Sequence, residues 1–209
     1  MIPVKVLAVR YLANASPVLA AGLGAPVGYP SLGMLTTDCD DATYIALDAA
    51  TKAADVEVVY GRSFYAGAAN ASTPNAGEVI GILAGATPGA VKSGMEAALS
   101  ALQRLGFEEV NGIPYLAHTV ASVGSYLARE AGVPRGSALA YLIAPPLEGM
   151  YAMDAALKAA DVKLCKLYAP PSETNFGGGL LSGTQSACAA ACEAFANAVA
   201  EVAGRTIES

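Results

Sequence analysis

One eleven-residue stretch occurs twice in this chain, and no other feature constrains its folding as much. Ala46–Val56 reads ALDAATKAADV, and Ala152–Val162 reads AMDAALKAADV 106 positions later, with nine of eleven residues identical. Asp, Lys and Asp recur at fixed offsets before a Val-rich run, which alanine-rich composition alone does not explain. The spacing is about half of the 209 residues, so the chain reads as a tandem duplication of one small domain of about 100 residues. We place the first domain at residues 1–106 and the second at 107–209, with a linker near Phe107–Ile113.

Hydrophobic residues make up 54% of the chain against 14% charged, enough for two cores. Much of that material is Ala and Gly, which suits helices packed closely on a sheet. Low charge beside high apolar content also suggests surface covered by other subunits. The net charge is −6 and the basic residues are scattered, which argues against nucleic acid or an anionic membrane as partner. No apolar run reaches about 18 residues, so no membrane span is expected. The opening MIPVKVLAVRY reads as a strand rather than a targeting peptide, and the protein as cytoplasmic.

Cys188 and Cys192 lie four apart in an alanine-rich stretch, on one face of a helix. With a single histidine, His118, far away in sequence, Cys39, Cys165, Cys188 and Cys192 read as small packed thiols. No metal and no cofactor is expected.

Taken in order, Pro3–Tyr11 and Ser31–Asp38 read as strands, separated by a short helix or turn over Ala13–Leu23. The first repeat predicts a helix from about Asp41 to Ala54, with Ala42, Ile45, Ala46, Ala49 and Ala53 as its apolar stripe. Val56–Tyr60 is a strand, Ser63–Asn75 a loop, and Gly77–Leu83 another strand. Thr87 caps a helix beginning at Pro88 and running to Leu105. In the second half Tyr115–Gly132 reads as helical with an interruption at Gly124. Ala138–Ala144 is a strand, Leu147–Ala160 the second repeat helix, and Val162–Leu167 a strand. A long loop, Tyr168–Gly179, precedes a short strand at Leu180–Ser182 and a closing helix over Thr184–Ala203. Each half is thus α+β, an antiparallel sheet packed with helices on one face. Long loops at equivalent places in both halves suggest paired functional elements.

The combination of KAADV, a strand, a loop, GEVIGILAG and a helix is similar to the bacterial microcompartment shell domain. GATPGAVKSGMEAA at Gly85–Ala98 resembles that domain's strand-to-helix segment. The stretches from Ser31, YLIAPPLEGMYAMDAALKAADV, PPSETNF and SGTQSACAAAC resemble the family's tandem-domain members of the ethanolamine-utilisation type. The resemblance covers nearly all the chain from Ser31 onward. It implies two circularly permuted shell domains and a homotrimeric, pseudohexameric disc. Such discs tile with other shell proteins through edge contacts. It further implies a gated central pore, a narrow substrate-binding pore in each subunit, passage of small metabolites such as ethanolamine, and no enzymatic activity.

Individual residues carry two readings each. Lys52 and Lys158 stand near the ends of the repeat helices, where a cation compensates the helix dipole; the resemblance makes them tile-edge contacts. Asp40, beside Asp38 and Asp41, reads first as an N-cap. Glu78 is a carboxylate in an otherwise apolar strand. Together, two such carboxylates could hold a small ammonium group through charge-assisted hydrogen bonds. The resemblance places Asp40 and Glu78 in the substrate pore, with Phe107 near it, and Tyr65, Asn70, Glu173, Asn175 and Phe176 in the gate loops. Paired carboxylates also serve acid–base catalysis, but no nucleophile motif, phosphate loop or metal cluster accompanies them. Gly177–Gly179 reads as a flexible hinge or pore rim, lacking the phosphate-loop pattern. The rival readings are a soluble trimeric ligand-binding protein that does not tile, and an enzyme acting on a small amine.

Overall fold

The computed structural model describes residues 1–63, 75, 77–170, 175–205 and 207. Its strands and helices run β1 (Ile2–Pro3), β2 (Val6–Leu12), α1 (Pro17–Gly22), β3 (Ser31–Thr37), α2 (Asp40–Ala53), β4 (Val56–Ser63), β5 (Val79–Gly85) and α3 (Pro88–Leu102). There follow β6 (Gly106–Val110), β7 (Ile113–Val120), α4 (Ser125–Ala131), β8 (Ala138–Ala144), α5 (Pro146–Ala159), β9 (Val162–Tyr168), β10 (Gly177–Gly183) and α6 (Gln185–Gly204). The chain forms two compact units. The N-terminal unit comprises Pro3–Gly106 with Gly124–Leu127; the C-terminal unit comprises Met1–Ile2, Phe107–Val123 and Ala128–Ser209.

The N-terminal unit has a four-stranded antiparallel sheet in the order β2-β3-β5-β4. Along β3 the side chains alternate, as strand geometry requires. Gly33 and Leu35 face the helix pair α2 and α3, and Leu32 and Met34 face the other way. Gly33 leaves room for Val91 and Met95 of α3, and Gly81 of β5 for Leu47 of α2, so a Cβ at either glycine would be crowded. On the opposite face Leu32, Ile82 and Ala84 pack with Ala15, Leu23, Ala25 and Tyr29 from the α1 connection.

The C-terminal unit repeats this ladder as β7-β8-β10-β9, extended by β6 and β1 to six strands. Its core sets Ala138, Ala140, Leu142 and Ala144 of β8 against Ala152 and Met153 of α5 and Cys188, Cys192 and Phe195 of α6. Thr184 caps α6 by accepting a hydrogen bond from Ala187 N, as Thr87 caps α3 through Ala90 N. All four cysteines are free. Cys188 and Cys192 are buried, whereas Cys39 and Cys165 are only half-buried. Burial raises the Cys192 thiol to about 11, although Thr119 Oγ1 donates to its sulfur at 3.4 Å.

Three expectations need correction. Residues 107–113 are not a linker: Phe107–Val110 belongs to β6, which turns through Asn111 and Gly112, both at positive φ, into β7. Tyr115–Val120 is strand, and only Ser125–Ala131 is helical. Gly177–Gly179 is no hinge. These glycines are the first residues of β10, all three paired with β8 and Gly178 and Gly179 with β9 as well. A Cβ at Gly178 (φ 154°) would collide with the Leu142 carbonyl, and one at Gly179 would lie 2.5 Å from Lys166 O. Close packing, not mobility, demands the three glycines.

Candidate functional site

At the end of β3 the chain turns directly into α2, and this corner gathers the acidic residues. Thr37 Oγ1 accepts from Cys39 N and lies 2.7 Å from Thr43 Oγ1, while Thr43 Oγ1 donates to Cys39 O. These short bonds pin the corner. Cys39, in extended conformation, is the N-cap residue and gives no side-chain cap bond. Asp40 is therefore the first residue of the helix, not its N-cap. Its charge still suits that end of the helix dipole.

Asp40 is only 8% exposed. One carboxylate oxygen accepts from Asp41 N at 2.8 Å, and the other from the Ser63 hydroxyl at 2.6 Å. Asp38 accepts from Lys5 N at 2.7 Å. Glu78, whose backbone N–H donates to Thr37 O at 2.8 Å, sits just before β5 and beside this pair. Partial desolvation, then the negative charges of Asp40 and Asp38, push its carboxyl above the usual range. The corner thus brings Asp40 and Glu78 together, as a cation site would need. Ser63, which sequence reasoning did not single out, completes the polar wall.

Phe107 belongs to the C-terminal unit, buried in β6 with its ring 5.7 Å from that of Phe176. Of the residues assigned to the gate, Phe176 is half-buried and Asn175 exposed; Tyr65, Asn70 and Glu173 lie outside the described residues. Among the described residues no group of three or more His, Cys, Asp and Glu could hold a metal ion. Among them, too, no helix is long and apolar enough to cross a membrane.

The repeated lysines stand in the last turns of α2 and α5, each with an aspartate four residues earlier. Their settings differ. Lys52 Nζ lies 3.2 Å from Asp48, whose side chain is fully buried. Asp48 also accepts from Gly124 N at 2.7 Å and Leu127 N at 2.9 Å, within the N-terminal unit. Lys158 pairs with Asp154, and both side chains are largely exposed. The sequence shows the shared Asp-Lys spacing but gives no sign that one aspartate is buried and the other not.

A sheet in the order β2-β3-β5-β4 with two helices on one face, built twice in one chain, defines the class: proteins made of tandem BMC domains. The BMC domain family matches residues 31–114. The microcompartment shell protein EutL of Clostridium perfringens is 57% identical over 207 residues, covering 97% of this chain and 95% of that protein. The crystal structure of the ethanolamine utilization protein EutL from Leptotrichia buccalis is 56% identical, covers 100% of this chain and 98% of its own, and superposes with a TM-score of 0.96. The trimeric shell protein PduB shares the fold at 19% identity and a TM-score of 0.80, over 96% of this chain and 89% of its own. The chain belongs to the EutL family of bacterial microcompartment shell proteins. Its place is the microcompartment shell.

Proposed function

We propose that this chain is a non-catalytic, homotrimeric shell tile of an ethanolamine-utilisation microcompartment. Its two shell domains correspond to residues 1–106 and 107–209, and small metabolites pass through its pores. The EutL relatives support the shell role, and a protein of the same fold is trimeric. Asp40 and Glu78 hold the ammonium group of a small amine, with Ser63 orienting Asp40. Phe107, beside Phe176 in the C-terminal unit, offers the metabolite an apolar contact. Tyr65, Asn70, Glu173, Asn175 and Phe176 belong to the gate, and Lys52 and Lys158 meet neighbouring tiles at the edges. Passage is passive, so selectivity comes from pore size, lining charge and gate position.

The observation that carries the amine assignment is the placing of Glu78, tied to Thr37 O, at the corner that holds Asp40 and Asp38, where partial desolvation and then their charges push its carboxyl upward. Such a group gains most from a nearby cation. Calorimetric titration of ethanolamine tests this. Loss of a charge-assisted bond costs about 1.5–3 kcal/mol, so Asp40→Ala and Glu78→Ala should each weaken binding about tenfold or more. Equal affinity in all three proteins would sink the assignment.

A further inference from the structure

The two units build the same strand-to-helix corner, and only one of them builds it with hydroxyls. Strands β3 and β8 correspond residue for residue, as do β5 and β10, since Thr37 faces Val79 across its ladder where Ala144 faces Gly177. Helices α2 and α5, fourteen residues each, follow the ends of β3 and β8. By this register Thr37 matches Ala144, Asp40 matches Pro146, Thr43 matches Gly149 and Glu78 matches Phe176. Ser63, the last residue of β4, matches Ala169 just after β9. Gly149 N donates to Pro145 O at 2.7 Å, the bond that Thr43 N makes to Cys39 O at 3.3 Å. The C-terminal corner thus forms with no hydroxyl at the matched positions, and with neither carboxylate.

In the N-terminal corner Thr37 and Thr43 are both fully buried. Thr37 reaches the two carboxylates by separate routes. Its backbone oxygen accepts from Glu78 N at 2.8 Å, and a Cβ at Gly77 would collide with that oxygen. Gly77, at φ 67°, thereby brings Glu78 back against the end of β3. The Thr37 hydroxyl oxygen accepts from Cys39 N at 3.2 Å, next to Asp40, and meets the Thr43 hydroxyl at 2.7 Å. Thr43, a turn into α2, donates to Cys39 O at 2.7 Å. Strand end and helix start are therefore joined on both sides of Cys39.

We propose that the Thr37–Thr43 hydroxyl pair is the positioning element of the amine site and sets its selectivity for a primary ammonium group. The pair has this role only if Asp40 and Glu78 hold the amine as proposed above. A primary ammonium carries three N–H donors on a small head, and two carboxylates share it well only at a set separation. Thr37 holds that separation because one residue ties down both sides, Glu78 through its carbonyl and the Asp40 corner through its side chain. Each N-methyl group replaces a donor with a bulkier apolar group, so a rigid gap rejects methylated amines and a loosened one tolerates them. The fold alone gives no reason for the pair, since the C-terminal corner dispenses with it.

Calorimetric titration of the full chain with ethanolamine and with N,N-dimethylethanolamine tests this, using Thr37→Val and Thr43→Val, which keep the side-chain shape and lose the hydroxyl. Wild type should prefer ethanolamine. Loss of one hydrogen bond costs about fivefold in an equilibrium constant, so each variant should bind ethanolamine about that much more weakly, with affinity for the dimethyl compound unchanged or higher. Thr43→Ser, which keeps the hydroxyl, should restore both affinity and preference. Both Val variants should keep the circular dichroism of wild type. Folded variants with affinity and preference unchanged overturn the positioning role and leave the amine site standing. Equal loss for both amines makes the pair a support of the corner alone and overturns the selectivity. Variants that fail to fold overturn it too, because the hydroxyls would then belong to the fold. No ethanolamine binding by wild type, or binding indifferent to Asp40→Ala, removes the amine reading itself and this role with it.

Discussion

At the scale of residues, the chain handles its carboxylates in three ways. Asp48 is buried and fully bonded, Asp154 is exposed, and Glu78 is partly desolvated and faced by like charge. The crowding of Glu78 has a definite sign. A carboxyl whose pKa is raised on folding adds stability that is present below its unfolded pKa and lost as pH rises through its folded pKa. At neutral pH the charged Glu78 is therefore a burden to the fold, and a bound ammonium group relieves it. Binding must then lower the pKa of Glu78. In mildly acidic solution ethanolamine should displace a proton, and affinity should fall as the pH drops through the raised value. Calorimetry in buffers of different ionisation enthalpy reads this proton directly, and Glu78→Gln should abolish the dependence. Binding that strengthened on acidification would contradict the site.

At the scale of elements, local signals marked most boundaries. Thr87 caps the helix expected of it, Thr184 caps the closing helix it was expected to begin, and the repeat helices begin and end within a residue or two of their predicted bounds. Strand β7 was not legible. Leu116, Ala117 and His118 carry little β preference, and what makes Ile113–Val120 a strand is its pairing with β8, a contact distant in sequence. Gly177–Gly179 misled for a related reason. A glycine run reads as freedom in a sequence, whereas here the neighbouring backbones forbid any side chain. Gly178→Ala adds a Cβ against the Leu142 carbonyl at a backbone angle that side chains rarely adopt. Backbone strain of this kind costs about 1–3 kcal/mol before any steric clash. Urea denaturation should show a loss of at least about 2 kcal/mol. A flexible hinge would tolerate the same change with little loss, so the measurement separates the two readings.

At the scale of the whole molecule, the eleven-residue repeat announced the duplication and the resemblance announced the family, but neither revealed how far the correspondence runs. The α1 and α4 connections share almost no sequence, and only their matching turns and hydrogen bonds pair them. The same correspondence bears on the tile edge. Lys52 stands over a buried aspartate that is fixed by backbone donors, so its charge is held in place before any neighbour arrives; Lys158 extends from an exposed pair. Ordering a mobile lysine at an interface costs on the order of 1 kcal/mol, so in a single chain the two edges are unequal. If both lysines meet neighbouring tiles, Lys52→Ala and Lys158→Ala should each keep the solution mass of wild type, with Lys52→Ala thinning its layered sheets the more in negative-stain images. Equal loss with both would mean that the preordering of Lys52 does not matter at the edge. Layers intact with both would remove the edge role from the lysines altogether.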